Sequence, residues 1–406
     1  MIVPLDDVLR IEGGQVLATL IRLMGDIDRA EDALQDAAVS AVEAWSRHGV
    51  PDNPAAWLTT VARHKGLDRL RREARRAPKE AEAARLLTDD EHGSGHDDRL
   101  RLLFTCCHPA LAAESQVALA LRTICGLTTV DIARAFVVPE ATIGQRISRA
   151  KAKIARARIP YRVPPAHELP ERLGAVLSVV YLVFTTGHHA PLGELGSRVD
   201  LASEGVRLGR MLAGLMPDEA ECVGLLALML ATEARRPARL DAAGDLVLLA
   251  DQDRGVWEHH AIAEAAAMVE TVLRRGRSGP YQIQAAIACL HGVAATWGET
   301  DWPQIAELYV MLESRWPTPV VRVNRAVAVA ETSGPLAGLA LLDELRGTPI
   351  ERWHLYWATH ADFQRRAGDV AEAARSYRQA MACPSNDTDR RFLQRRLEAI
   401  SEDAVG

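Results

Sequence analysis

Six polar side chains recur at helical spacing along one short stretch: Thr142, Gln145, Arg146, Arg149, Lys153 and Arg156. On an α-helix they share one side, and Ile143, Ile147, Ala150 and Ile154 make an apolar face opposite. Such a row suits a nucleic acid, with the early polar residues meeting base edges and the later cations meeting phosphates. Between Glu140 and Arg162 there are seven basic residues and one acidic. A second basic stretch, Arg63 to Lys79, holds eight basic residues against Asp68 and Glu73, and follows a segment led by Trp57. Trp57, Leu58, Val61, Leu67 and Leu70 mark its core face, so the cations are either a solvated helix face or a row for a phosphate backbone. A third row has the opposite sign. Asp32, Asp36 and Glu43 lie across from a core face of Ala30, Leu34, Ala37, Ala41 and Trp45. DNA would repel that row; a basic protein surface would attract it, and as a bare solvated face it would do neither.

Other constellations lead away from chemistry. Cys106-Cys107-His108 invites a metal, but successive helical side chains point about 100° apart and cannot easily close one tetrahedral site. His188-His189 and His259-His260 lack ligand spacing. The tryptophans at 297, 302, 316, 353 and 357 fit a hairpin core better than an aromatic ligand site. No P-loop, GxSxG, HExxH or strand-borne GxGxxG motif occurs, so no catalytic residue, metal or cofactor is expected. A pocket in residues 170–290 could gather Arg235, Arg236, Asp251 and Asp253, yet these charges serve equally well as ion pairs at helix ends.

The elements that must position the rows are helices. Aromatic residues are 5% of the 406, β-branched alternation is nearly absent, and helix formers dominate, so the fold class is all-α. Thr128-Thr129-Val130-Asp131 can cap a helix start; a short helix Asp131 to Phe136 follows, then a turn through Val137-Val138 and Pro139 at a first helical position. With the row at 142–156 this is the layout of a helix-turn-helix. A charged stretch from about Ala74 to Asp98 and a proline-rich one with Pro160, Pro164, Pro165 and Pro170 read as linkers. Further on, Thr300, Gly334 and Gly368 stand 34 residues apart, each followed five residues later by an apolar residue, Ile305, Leu339 or Ala373. That period matches the tetratricopeptide helical hairpin, the middle copy carrying Asp343 where a bulky residue belongs.

Net charge is -6, which alone argues mildly against a polyanion partner. It sums unlike parts: +2 over residues 1–162 and -8 over the rest. The six cysteines show no CxxC spacing, the acidic start Met1 to Asp7 is no signal peptide, and the apolar runs Ala175 to Phe184 and Val223 to Ala231 fall short of a membrane span. A soluble cytoplasmic protein with no membrane partner is expected.

An acidic-faced helix, a Trp-led basic helix, a charged linker and a helix-turn-helix, in that order, resemble a bacterial extracytoplasmic-function (ECF) sigma factor of the sigma-70 family. Arg29 to Asp36 looks like its polymerase-docking helix, Trp57 to Arg72 like its promoter-melting and minus-ten segment, and Glu140 to Lys151 like its minus-thirty-five recognition helix. The remainder is similar to a subgroup with a long C-terminal tetratricopeptide-like (TPR-like) extension, through Arg235 to Arg239, Leu249 to Arg254, Tyr281 to Ile287 and Asn324 to Val329. The resemblance implies core RNA polymerase and promoter DNA as partners. It implies that Asp32, Gln35 and Asp36 bind polymerase, that Asn53, in the loop before Trp57, helps to capture an unstacked base, and that Trp57 is itself among the DNA-binding residues. By the same carry-over, Arg63, His64, Arg71 and Arg72 hold the opened strand, while Thr142, Gln145, Arg146, Arg149 and Lys153 grip the upstream element. Val137, at a turn position where the family usually has Gly, and Gly144, in place of a polar residue, depart from the pattern. The implied domains are 1–78 for docking and the minus-ten element, a linker 79–98, a helix-turn-helix at 99–160, a Pro-rich linker 161–170, and a C-terminal regulatory domain 171–406 that meets a protein partner or a small ligand. Two other readings stand beside this one: a helix-turn-helix regulator with a repeat-type sensor, and an enzyme with its pocket in 170–290.

Overall fold

A computed structural model of the chain describes residues 5–74, 95–136, 138–189, 201–276, 278–385 and 387–403, which form 18 α-helices. Among the described residues the only β contact is an isolated bridge between Leu240 and Leu246, so the fold is all-α as expected. Packing divides the chain into two compact units, Met1–Leu215 and Met216–Gly406.

The first unit opens with α1 (Leu5–Met24), α2 (Ile27–His48) and α3 (Pro54–Ala74). Asp26 caps α2 by accepting from the Arg29 amide, and the buried stripe of α2 is Ile27, Ala30, Ala33, Ala37 and Ala41. On α3 the fully buried positions are Leu58, Ala62 and Gly66, an i, i+4, i+8 row of mostly small residues, while Trp57, Val61 and Leu67 are half-buried. This corrects the expected stripe. The side chain of Leu70 lies outside the described residues.

Next come α4 (Gly95–Cys106), α5 (Ala113–Thr123), α6 (Thr129–Ala135), α7 (Glu140–Ala157), α8 (Leu169–His189) and α9 (Leu201–Leu215). Helix α4 begins inside the segment expected to be a linker. Asp98 explains why: its carboxylate is 1% exposed and lies 3.0 Å from Arg22 on α1 and 3.6 Å from Arg101. Residues 75–94 of that expected linker lie outside the described residues. The Pro-rich stretch is docked by Tyr161, whose hydroxyl donates to the Ala18 and Asp98 carbonyls at 2.8 and 2.9 Å. Pro170 sits in the first turn of α8, where a missing N–H costs little. The packing boundary at 215/216 thus falls downstream of 161–170, and α8 and α9 stand with the first unit. By length and composition Leu169–His188 is apolar enough to cross a membrane, and it is longer than its apolar run because Glu171 and Arg172 join its first turn. Here Val176, Val180, Val183 and Phe184 are buried within the unit.

The second unit runs α10 (Ala220–Glu233), α11 (His259–Leu273), α12 (Pro280–Val293), α13 (Trp302–Arg315), α14 (Pro319–Ser333), α15 (Pro335–Asp343), α16 (His354–Arg366), α17 (Val370–Ala382) and α18 (Asp387–Asp403). Its core comes as a series. Ile283, Ile287, Ile305, Leu312 and Val321 join α12, α13 and α14. Ala326, Leu342, Tyr356 and Phe363 join α14, α15 and α16. Ala361, Ala373, Tyr377, Leu393 and Ile400 join α16, α17 and α18. Gly334 and Gly368, with φ of +89° and +87°, make the tight turns directly before α15 and α17, a conformation that costs other residues strain. Five residues on from the 34-residue marks, Ile305 and Ala373 are fully buried and Leu339 packs half-buried on its cluster. The middle helix stops at Asp343, whose carboxylate accepts from Arg346 at 2.7 Å.

Candidate nucleic-acid interface

The recognition row rests on a capped turn. Thr128 Oγ1 donates to the Asp131 carboxylate at 2.6 Å and accepts from the Asp131 amide at 3.1 Å, a reciprocal cap at the start of α6. The helix begins at Thr129 rather than Asp131, because this cap is satisfied one turn earlier than its acidic residue suggests. Thr129 Oγ1 then donates to Glu140 at 3.0 Å, tying α6 to the first residue of α7. Pro139 is the residue before α7, not its first turn, with φ -59° and ψ 142°. Val137 lies outside the described residues. On α7, Ile143, Ile147 and Ala150 are buried against the unit, so the opposite side is fixed outward. Gln145 and Arg149 are exposed; Thr142, Arg146 and Lys153 are half-buried, Arg146 beside Glu114 and Leu182. The five residues form one row as the spacing implies. Gly144 has open space around it, so nothing in packing forbids a larger residue there.

The second row is positioned by α3. Asn53 is exposed, and its side-chain oxygen accepts from the Ala56 amide at 2.9 Å, which makes it the N-terminal cap of α3. Trp57 stands edge-on to Trp45 with ring centroids 5.6 Å apart. About two turns after Trp57, Arg63 is half-buried and His64 exposed. The side chains of Arg71 and Arg72 lie outside the described residues.

On α2, Asp32, Gln35 and Asp36 are all exposed, but they are not equivalent. Asp32 pairs with Arg69 of α3 at 2.8 Å, both about half exposed. Asp32 and Gln35 also border a cleft of about 350 Å³ shared with Arg122 and Gly126. Beside them lies a contact that sequence reasoning missed. Lys151 of α7 reaches α2 and bonds Asp28 at 2.7 Å and Glu31 at 2.9 Å. Burial pulls the Lys151 ammonium down, and the hydrogen bonds to both carboxylates outweigh it, so its pKa stands above the ordinary lysine value. Lys151 follows the buried Ile147 by one turn, at the border of the apolar face, which was the available signal.

The alternative centres do not assemble. Cys106 and Cys107 are buried thiols; burial lifts Cys106 to about 12, and its sulfur meets Thr123 at 3.3 Å. His108 Nδ1 instead accepts from the Ala110 amide at 3.1 Å. Among the described residues no group of His, Cys, Asp and Glu could hold a metal ion. Arg236 is taken by Glu233 at 2.6 Å, and Asp253 caps the Gly255 amide at 2.8 Å. Two of those four charges are thus engaged close to their own positions in the chain.

Three family models match the chain: Sigma-70 region 2 over residues 10–76, Sigma-70 region 4 over residues 101–154, and a family of unknown function, DUF6596, over residues 172–273. The last match crosses the packing boundary at 215/216. An uncharacterized protein of Rhizobium meliloti (strain 1021) is 42% identical over 398 residues, covering 95% of this chain and 93% of that protein. A probable RNA polymerase sigma-C factor of Mycobacterium bovis and the ECF RNA polymerase sigma factor SigC of Mycobacterium tuberculosis are each 28% identical over 134 residues, 32% of this chain and 71% of theirs. No solved structure matches the chain.

Proposed function

The chain belongs to the same family as the Rhizobium meliloti protein and is a sigma-70/ECF-like sigma factor, and from that premise we propose that it directs core RNA polymerase to particular promoters and helps to open them, with its C-terminal helices regulating in cis. The observation that carries the reading is the outward row of α7, Thr142 to Lys153, in a capped helix-turn-helix within one compact unit with the acidic face of α2. A basic row alone would suit many DNA binders. An exposed acidic face in the same unit suits a protein partner rather than DNA, which favours docking on the polymerase.

In this reading Asp32, Gln35 and Asp36 dock on polymerase, and Asp36 does so most directly because Asp32 must first exchange its pair with Arg69. Asn53, Trp57, Arg63 and His64 hold the opened strand, where stacking and backbone cations offset an unstacking cost of a few kcal/mol per step. Arg71 and Arg72 extend that row by sequence. Thr142, Gln145, Arg146, Arg149 and Lys153 grip the upstream element. The serial clusters and 34-residue turns of the second unit support a TPR-like regulatory block, working in a cytoplasmic protein that meets a protein partner or a ligand there.

Reconstitution with core polymerase tests it. Promoter-specific run-off transcription is expected with the full chain, falling tenfold or more with Arg146→Ala or Asp36→Ala, since one lost specific contact costs about 1–3 kcal/mol. Normal initiation by both variants would remove the residue assignments. The cis role is tested by ending the chain after Leu215, which keeps α8 and α9 with their unit. An unchanged rate and promoter preference would remove that role.

A further inference from the structure

The second unit holds a cavity of about 630 Å³, inside the range of small-molecule sites. Helices α14, α16, α17 and α18 wall one side, and the loop from Leu246 to Asp251 walls the other. That loop is anchored. Leu240 and Leu246 bridge across its turn, and Asp245 accepts from both Arg391 and Arg395 of α18 at 2.9 Å. The remaining space is therefore a built feature of the unit. Much of its wall is apolar: Leu249, Val327, Phe363 and Phe392 line it, as does Leu355, which is 42% exposed.

The charges are grouped. Arg366 lies 2.6 Å from Glu331 and 3.6 Å from Asp362, Arg365 lies 2.9 Å from Asp362, and Arg396 lies 3.8 Å from the same carboxylate. Three guanidiniums share two carboxylates, and Glu331 also accepts from Trp297 at 3.4 Å. The excess positive charge coincides with an orphan donor: Arg396 Nε is buried and has no hydrogen-bond partner. Leaving such a donor unmet costs about 1–3 kcal/mol, and native structures seldom do so without reason. Of the two cavity carboxylates outside this cluster, Asp251 is exposed to water and Asp389 lies 3.2 Å from His354 Nε2.

We propose that this cavity binds a small amphipathic organic anion, with an apolar or aromatic body against Leu249, Leu355 and Phe392 and one carboxylate-type oxyanion on the Arg365, Arg366 and Arg396 cluster. An anion there accepts from Arg396 and balances the third guanidinium. A cation placed on that cluster would add to its local excess, and a neutral analogue would leave it uncompensated. The proposal rests on the geometry of the unit and holds whether or not that unit regulates transcription.

Calorimetry and thermal melting of the full chain with three matched probes, naphthylacetate, naphthylacetamide and naphthylethylamine, decide it. Naphthylacetate is expected to bind saturably at one site and to raise the melting temperature, with the amide and the amine at least tenfold weaker. Arg396→Gln should weaken naphthylacetate at least tenfold. Thr359→Trp, which fills the cavity and leaves every residue of the charge cluster in the sequence, should abolish binding, and it decides the matter if Arg396→Gln does not fold. The proposal fails if naphthylacetate shows no saturable binding, if the amide or amine binds as tightly, or if Thr359→Trp keeps wild-type affinity.

Discussion

In the unit Met1–Leu215, polar contacts join segments far apart in the chain: Arg22 with Asp98, Arg99 with Gln15 at 2.6 Å, Lys151 with Asp28 and Glu31, and Tyr161 with the Ala18 carbonyl. In the unit Met216–Gly406, each apolar cluster is made by helices that follow one another in sequence, and the long-range ion pairs of Asp245 with Arg391 and Arg395 join a loop to α18 rather than one layer to another. The contrast separates two kinds of stability. A unit closed by long-range contacts holds together as a whole, whereas a stack of neighbouring layers loses order layer by layer. A DNA reader needs its two rows held in fixed register. Under the proposed function the second unit gains from being adjustable one layer at a time.

The strongest way to break this comparison is to cut equal holes in both units. Leu119 on α5 and Ile305 on α13 are each fully buried, and Leu119→Ala and Ile305→Ala should each cost about 3 kcal/mol. Hydrogen exchange of the full chain should then differ in reach. Leu119→Ala should lower protection from α1 through α9, and Ile305→Ala should lower it in α12, α13 and α14 while sparing α17 and α18. Loss of protection across the whole second unit would overturn the layered account.

Acid sharpens the comparison with a smaller effect. Burial pushes His291 down to about 3 and His360 down to about 4, so the folded chain keeps both neutral where the unfolded chain takes up protons near 6.5. Their contribution is complete above about pH 6.5 and is lost as pH falls toward 4. At pH 5 each should cost the second unit about 2 kcal/mol relative to pH 7.5. Both ring nitrogens of His360 are buried without a hydrogen-bond partner, so His360→Phe removes a liability. Urea midpoints of this variant should drop less than wild type between pH 7.5 and 5; an identical drop would show that His360 does not titrate there.

The sequence was most legible where local periodicity and burial agree. The α7 row, its apolar back and the Thr128–Asp131 cap all follow from spacing within one or two turns. The α3 stripe was misread because Ala62 and Gly66 carry no hydrophobic signal. Gly66 is buried because Met24 fills the space a Cβ would need, which no local pattern reveals. The α4 start was hidden by the same kind of remoteness, since Asp97-Asp98 reads as a charged linker until Arg22 pairs with Asp98. Prolines at 160–170 looked like a separator, and Tyr161 turns the segment into a docked strap. The 34-residue markers were legible because a positive-φ glycine is required at the same turn in two copies.

The smallest effect isolates what burial adds to an ion pair, within the first unit alone. Lys151 is 14% exposed and bonds two carboxylates, whereas Arg69 and Asp32, which pair at 2.8 Å, are 51% and 49% exposed. Both bridges end on α2, and they differ in how far solvent reaches the cation. Removing Lys151 leaves Glu31, whose Oε1 is already buried without a partner, with one hydrogen bond fewer. Lys151→Ala should therefore lower the stability of the first unit by about 1.5 kcal/mol. Arg69→Ala exposes nothing that water cannot reach and should cost about 0.5 kcal/mol or less. Raising salt should shrink the Arg69 effect toward zero and leave most of the Lys151 effect in place, because screening acts on exposed pairs first. Equal urea-midpoint shifts for the two variants, or a Lys151 effect that salt removes, would mean that the contact between α7 and α2 is no stronger than a surface pair.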